Sequence, residues 1–470
     1  MNKTLFTKLL AVLAITAIIA VALLMIESTI VERKQFHETA VQSIAHDSVF
    51  AQSVVGPVLI TPYTEEFEEA ESYSTDDNQR KTRMVARKKQ RFLTVYPENL
   101  DVQGKVELDQ RYRGIHKVQV YTGTHQISGS FILPRSEAFD HSVANSRLTV
   151  GQAFVSIGIS DVRGIHRLDG INWGGKRLEF QQGSGVPALS SGLHAVLDSS
   201  GHDADPATAT PIKFSFEMKL DGMQTLSFTP VARNNQITIN SRWPHPEFYG
   251  RFLPTAQTRI VTHDGFSATW DISALASNAQ SALTAAINSG LPVANAAGVA
   301  EIDSFGVSFI EPINVYSMSE RAVKYGLLFI VLTFSAFFLF EILKQLPIHP
   351  VQYGLVGFAL ALFFLLLLSL SEQITFLYAY LVASSACILL NGFYLAQVLH
   401  NWKRGFGFGM ALTLLYSVLY GVLQSENNAL LMGSILLFGV LAAIMIATRK
   451  VDWYRIGKDK IDLVESTISA

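Results

Sequence analysis

Three groups of residues have types and spacings that could support chemistry or recognition. Glu341 and Glu372 fall at the ends of long apolar runs. Ionisable side chains in such runs are costly and count first as functional candidates. A charge at a helix centre costs roughly 2.5–3.5 kcal/mol on insertion scales. Neither glutamate is central, so interfacial solvation stands beside proton or substrate handling. The second group is Ser241-Arg242-Trp243-Pro244-His245-Pro246. Prolines on both sides of His245 fix the backbone and remove two donors. The segment reads as a rigid exit from a strand, with Trp243 covering a core edge, or as a stiff surface presenting Trp243 and His245. The third is Asp161-Val162-Arg163-Gly164, which reads first as a local Asp–Arg pair at a turn.

Other chemistry is missing from the pattern. The sequence has no H-E-x-x-H, G-x-x-x-x-G-K-[ST], G-x-S-x-G or G-x-G-x-x-G. Its 12 histidines are scattered, and none is set with carboxylates at metal-ligand spacing, so no metal and no cofactor is expected. The one cysteine, Cys387, allows no intramolecular disulfide. A net charge of −2 gives no argument for nucleic acid. Gly405-Phe406-Gly407-Phe408-Gly409 opens an apolar run without a preceding strand, so close helix packing is its better account. Tyr394, Tyr416, Tyr420 and Asn391 suit interhelical hydrogen bonds rather than a central transport site.

The elements that must position these residues divide sharply. With 49% hydrophobic and only 16% charged residues, the chain is apolar for a soluble protein of its size yet not apolar enough for one that is membrane throughout, so a split chain is the natural reading. Six segments are long enough to cross a bilayer: 9–26, 325–343, 351–370, 375–399, 405–423 and 429–448. The first carries Ala20-Val21-Ala22, which looks like a signal cleavage site. Its apolar run continues to Ile26, longer than the usual signal peptide core, so it reads as an uncleaved anchor. Lys3, Lys8, Lys344, Lys403, Arg404 and the basic tail place both termini in the cytoplasm, whereas the loops at 371–373 and 425–428 lack Lys and Arg. Arg33, Lys34, Arg321 and Lys324 run against this reading, but the rule weakens for long translocated segments.

Between the first helix and the other five lies a stretch whose apolar residues recur at period two, as in Phe92-Leu93-Thr94-Val95-Tyr96 and Ile212-Lys213-Phe214-Ser215-Phe216. It predicts a mostly β, sandwich-like periplasmic domain. The expected division is an anchor at 1–27, a β-rich domain at 28–320 with a loose helix and linker at 272–300, a five-helix bundle at 321–448 and a cytoplasmic tail at 449–470. An acidic arm (Glu65 to Glu71) and a basic arm (Arg80 to Arg91) predict a solvated hairpin of opposite charge, with a partner or lipid contact as the other reading. Arg113-Gly114-Ile115-His116-Lys117 recurs as Arg163-Gly164-Ile165-His166-Arg167, which reads as two similar turns or as a trace of duplication.

Several stretches run in order over nearly the whole chain: Gly56-Pro57-Val58-Leu59-Ile60, Asp161-Val162-Arg163-Gly164-Ile165 and Trp243-Pro244-His245-Pro246 with Phe252-Leu253-Pro254. Further along are Arg321-Ala322-Val323-Lys324-Tyr325, His349-Pro350-Val351-Gln352-Tyr353, Leu370-Ser371-Glu372 and Arg449-Lys450-Val451-Asp452-Trp453-Tyr454. In these stretches the chain resembles the CreD family of inner-membrane proteins. The chain departs from the pattern at Gln373, where histidine is expected, and this weighs against a proton-linked role there. The resemblance implies a bacterial inner-membrane protein tied to cell-envelope integrity, envelope stress and colicin tolerance, with no defined reaction. The leading expectation is therefore a non-enzymatic protein of the phospholipid bilayer whose periplasmic domain binds an envelope component or partner. A transporter or lipid-handling protein using Glu341 and Glu372 is the alternative, and an envelope hydrolase the weaker one.

Overall fold

The computed structural model describes residues 3–74, 80–114, 116–143, 146–166, 168–198, 211–292, 302–310, 315–344, 348–398, 401–424 and 429–449. The chain forms two compact units, one of Met1–Thr39 with Ile313–Ala470, the other of Ala40–Pro312. The expected tail lies almost wholly outside the described residues, as do the 425–428 loop and residues 293–300 of the expected linker.

The helix α1 spans Lys3–Asp47 and enters both units. The apolar run predicts a membrane segment ending near Ile26, yet the helix continues for some twenty residues more. Hydropathy marks where lipid ends, not where a helix ends, and residues 27–47 contain no Gly or Pro to stop it. At 1.5 Å per residue its length is about 68 Å, more than twice a bilayer core of about 30 Å.

In chain order the strands of the β unit are β1 (Gln52–Ser74), β2 (Arg80–Val95), β3 (Asn99–Arg113), β4 (His116–Phe131), β5 (Arg147–Val150), β6 (Phe154–Ile159), β7 (Ile171–Trp173), β8 (Lys176–Leu178), β9 (Gln181–Gln182), β10 (Gly192–Val196), β11 (Ile212–Met223), β12 (Thr225–Thr229), β13 (Asn234–Ser241), β14 (Glu247–Gly250), β15 (Arg259–Thr262), β16 (Gly265–Ser273) and β17 (Phe305–Ser308). Among the described residues they make two sheets. One has the order β14-β17-β12-β1-β6-β10-β9, with β2 and β5 also paired to β1; the other runs β15-β16-β13-β3-β4-β11-β7-β8. The pairs β1–β12 and β3–β13 are parallel.

Strand alternation fills the space between the sheets. On β11, Phe214, Phe216, Met218 and Leu220 are buried while Lys213, Ser215, Glu217 and Lys219 point out. Rings from the two inner faces meet at His125–Phe228, Tyr121–Phe309 and Trp270–Phe305. Each such apolar side chain removed from water contributes about 1.5–3 kcal/mol, so one shared core holds the sandwich. The Gly56-Pro57 stretch makes a bulge in β1 against β6, and Gly56 has φ +115°, a conformation that glycine adopts without strain. Helix α2 (Ala279–Ser289) falls inside the 272–300 stretch that reads as loose; it buries Ala279, Leu283, Ala286 and Ile287 in the same core. Tyr96 ties it down through Gln280 O at 2.8 Å and Thr284 Oγ1 at 2.7 Å, and burial pushes the phenol pKa up to about 12.

The charged arms form the β1–β2 hairpin. Lys88–Glu66 lie 2.5 Å apart, Arg83–Glu71 2.8 Å and Arg87–Glu69 3.4 Å. Exposed pairs of this kind contribute only about 0–1 kcal/mol each. Glu65 differs, because it is fully buried. Its Oε1 accepts from Ser142 N at 2.5 Å, Ser146 Oγ at 2.7 Å and Val143 N at 3.3 Å. Burial works against the charge, but these donors outweigh it and hold the pKa down at about 2. The folded pKa is thus below the ordinary 4.5. Glu65 therefore stabilises the fold above that value, and the contribution is lost as pH falls from there through about 2. The stability gap between wild type and Glu65→Gln, followed by denaturant unfolding at successive pH values, should be widest near pH 7 and close across that window.

The helical unit adds α3 (Val315–Lys344), α4 (Pro350–Ser371), α5 (Phe376–Val398), α6 (Trp402–Gln424) and α7 (Ala429–Thr448). Six spans are expected from the sequence. Among the described residues five helices are long and apolar enough to cross: α1, α3, α4, α5 and α6. The sixth expected segment forms α7, a helix of 20 residues several of whose side chains lie outside the described ones; it is not among the five. The class is as expected, helices around an inserted β domain, with one N-terminal and four C-terminal candidate spans.

A polar hub joins α5 and α6. Tyr380 Oη donates to Tyr416 O at 2.6 Å, and Tyr416 Oη to Cys387 Sγ at 3.1 Å. Asn391 instead bonds within its own helix, to Cys387 O at 2.9 Å, and Tyr420 accepts from Gln424 of its own helix. Of the glycines at 405, 407 and 409, Gly405 makes the close approach. A Cβ there would lie 2.5 Å from Ala396 Cβ and 2.6 Å from its Cα, whereas one on Gly407 would meet nothing within 4 Å.

Candidate functional site: the clamp on the end of the first helix

The last turn of α1 leaves backbone carbonyls without helical partners and carries the negative end of the helix dipole. Arginines answer both. Arg163 Nη1 donates to His46 O at 2.6 Å and Nη2 to Ala45 O at 3.3 Å. Arg113 Nη1 reaches Asp47 Oδ2 at 2.6 Å. The repeated Arg-Gly-Ile-His motif thus supplies its two arginines to one helix end.

Asp161 aims the Arg163 guanidinium. It accepts from Arg163 Nε at 2.9 Å and Nη2 at 2.7 Å, a two-pronged pair, and from Phe50 N at 3.0 Å. The bond from Arg163 holds the Asp161 carboxyl below its ordinary pKa against the opposing effect of burial. The guanidinium also lies 5.4 Å from the Phe50 ring centroid. Beneath it, the buried Gln52 donates from Nε2 to Asp161 O and Asp221 O, each at 2.9 Å. Gly164 permits this crowding, since a Cβ would come within 2.3 Å of Asp221 O. Asp221 in turn faces His166 at 3.0 Å. Apolar contact completes the seat: Ile44 and Ala45 of the helix end cluster with Val118 and Met223. The pair at Asp161 and Arg163 is therefore more than a local turn, because the turn grips a distant helix.

Trp243 and His245 form a second group. Trp243 Nε1 donates to His245 O at 2.8 Å, and the rings meet edge to face at 6.0 Å. The indole packs against the core while His245 stays exposed. Glu341 and Glu372 form two further, separate groups in the helical unit. Glu341 pairs with Lys8 of α1 and accepts from Tyr353 Oη of α4 at 2.8 Å, so three helices share one carboxylate. An open surface cleft of about 340 Å³ lined by Thr7, Lys8, Ala11, Ile348, His349 and Pro350 lies beside Lys8. Glu372 accepts from Tyr316 Oη at 3.3 Å.

The sequence reading missed Arg113, Gln52, Lys8 and Tyr353 as partners. The repeated motif was a usable signal for Arg113. Lys8 counts in the sequence only as a topology charge, and a buried Tyr in an apolar helix carries no signal of its partner. One nucleophile-like contact also appears: Ser146 Oγ lies 2.7 Å from Glu65 Oε1 and 2.8 Å from His141 Nδ1. Its single proton goes to the carboxylate, so it accepts from the imidazole, the reverse of what a Ser–His nucleophile needs. Among the described residues no three His, Cys, Asp or Glu are grouped to hold a metal.

The family model described as "Inner membrane protein CreD" matches residues 4–454. The chain belongs to the CreD family. Inner membrane protein CreD of Escherichia coli (strain K12) is 32% identical over 461 residues, which cover 98% of this chain and 96% of that protein. With five apolar helices of spanning length, this CreD-family chain is a multi-pass inner-membrane protein. The Asp161–Gly164 turn and the Trp243–Pro246 loop, which carry the sequence resemblance, are in the structure the helix clamp and the proline-stiffened edge of the β unit.

Proposed function

We propose that the protein is a non-enzymatic component of the cell envelope whose β unit lies in the periplasm and binds an envelope component or partner protein. In this reading it supports envelope integrity under stress, including tolerance of colicins. The loop charges support the orientation, with both termini cytoplasmic. The observation that carries the binding reading is the Trp243–His245 loop. Two prolines, an indole anchored in the core and the 2.8 Å bond from Trp243 to His245 O hold an exposed imidazole on a stiff support. Little conformational entropy is then lost when a partner docks.

The reading as a transporter or lipid-handling protein has one supporting observation, the cleft beside Lys8. It weighs less, because Glu341 is already neutralised by Lys8 and hydrogen-bonded by Tyr353.

Photo-crosslinking in cells from position 245, with position 263 as an exposed control, tests the binding reading. The expected result is a discrete adduct from 245 and not from 263. A folded protein giving no adduct from either 243 or 245 overturns it.

A further inference from the structure

His125 lies on β4 between the two sheets, with none of its surface exposed. Neither ring nitrogen has a hydrogen-bond partner. Such a group is an exception in a folded core and calls for an explanation. Its surroundings are shaped for a ring. The facing residue on β3 is Gly104, and the inward-facing neighbour two positions back on β4 is Gly123. A Cβ on Gly104 would lie 2.7 Å from Nδ1, and one on Gly123 2.4 Å from Nε2. Phe228 of β12 closes the slot edge to face at 5.7 Å, and Met218 of β11 is the register partner on the other side.

Among the described residues no carboxylate is placed to receive a proton-bearing ring. Among the described residues, the buried inward-facing positions of β3, β11, β12 and β13 carry no charge. The charged residues Asp101, Lys105 and Glu107 of β3 and Lys213, Glu217 and Lys219 of β11 alternate onto the outer face, as does Asp221 of β11, which accepts from Thr122 Oγ1 at 2.6 Å and faces His166. The titratable groups on the inner side are Tyr121 of β4, whose hydroxyl donates to Thr225 O at 2.7 Å, and Tyr249 of β14, which bonds to Ser227 and Thr225 of β12. An imidazolium in this slot would be a buried charge without a counter-ion.

We propose that His125 is a proton-operated release for the β unit: on acidification the imidazole takes up a proton by leaving its slot, and the sheet around β3, β4 and β11 opens with it. This rests on the periplasmic placement proposed above, where the β unit experiences the pH outside the cell, so the device loosens the domain in acid without any ligand. Burial lowers the pKa from 6.5 to about 4. The folded value is the lower one, so the unfolded state binds the extra proton between these limits. Stability is complete above 6.5 and is lost as pH falls through about 4. The folding equilibrium constant should fall about 30-fold by pH 5 and roughly 300-fold in all from this residue.

The test is denaturant unfolding of the full chain in detergent from pH 7.5 to 4, wild type against His125→Met. A one-proton slope between pH 6.5 and 4 in wild type that is missing from the variant supports the release. Equal slopes overturn it. Should the variant not fold, hydrogen exchange of the wild type decides, after correction for intrinsic rates. Protection falling first in β3, β4 and β11 as pH drops supports the proposal, and protection that is flat or lost first elsewhere overturns it.

Discussion

Replacing Arg163 with alanine is expected to destabilise the β unit by clearly more than the about 0.5 kcal/mol of an ordinary surface substitution. It leaves the Asp161 carboxylate, whose side chain is only 9% exposed, without its counter-ion, and it leaves two helix-end carbonyls without their donor. The guanidinium itself is 46% exposed, so solvent screens the pair and the loss stays below that of a fully buried one. Two further consequences distinguish the clamp from an ordinary surface pair. Arg163→Lys keeps the charge but loses the planar fork that engages Asp161 and two carbonyls together, so it should recover about half of the loss. The junction at residues 47–51 should also become sensitive to limited proteolysis, because the Phe50 N–H bond to Asp161 depends on a carboxylate that Arg163 holds in place. Tryptophan fluorescence during urea unfolding of the full chain in detergent measures the first effect, since Trp173, Trp243 and Trp270 report on the β unit. A change below about 0.5 kcal/mol, the usual range of a surface substitution, would show that the helix end is held by its apolar seat alone.

Gly405→Val is the second large effect, placed in the membrane. Backbone and Cβ atoms of Ala396 occupy the space that a side chain at 405 would need, at 2.5–2.8 Å. Neither helix has a flexible side chain there to give way, so α5 and α6 must separate. Overpacking of this kind costs typically 1–3 kcal/mol. The single cysteine offers a direct readout, because Cys387 is buried on α5 next to Tyr416 of α6. Its labelling by a maleimide in detergent should accelerate about tenfold or more in Gly405→Val. Gly407→Ala should leave the rate unchanged, since nothing lies within 4 Å of the added carbon. Equal rates in both variants would remove the case for a glycine-dependent helix contact.

Much of the architecture is legible before any coordinates. Period-two alternation along β11 names both the strand and its buried face, since one face of a strand must leave water. Apolar runs of bilayer length name the helices for the same reason, because lipid tolerates no unpaired backbone. The charged arms at 65–71 and 80–91 read as a hairpin, and cross-strand pairs between them follow from the register. Two points escape the pattern. The helix α1 outruns its apolar segment, because ordinary polar residues continue a helix as well as apolar ones do. Glu65 looks like its acidic neighbours, yet it alone is buried and met by donors from residues 142–146.

The clamp shows the division most plainly. Opposite charges two positions apart at a Gly-containing turn already read as a local Asp161–Arg163 pair, and the Arg-Gly-Ile-His repeat is plain in the sequence. What these arginines hold emerges only once the chain has folded. Arg113 and Arg163 are 50 positions apart and reach Asp47 and His46, contacts that cross 66 and 117 residues of chain. The same is true of His125, whose sequence neighbours say nothing about the glycine opposite it on β3. Local spacing fixes which residues share a turn or a face. Which elements then meet depends on closing long loops around one core, and that information is spread over the whole chain rather than written at the residues that touch.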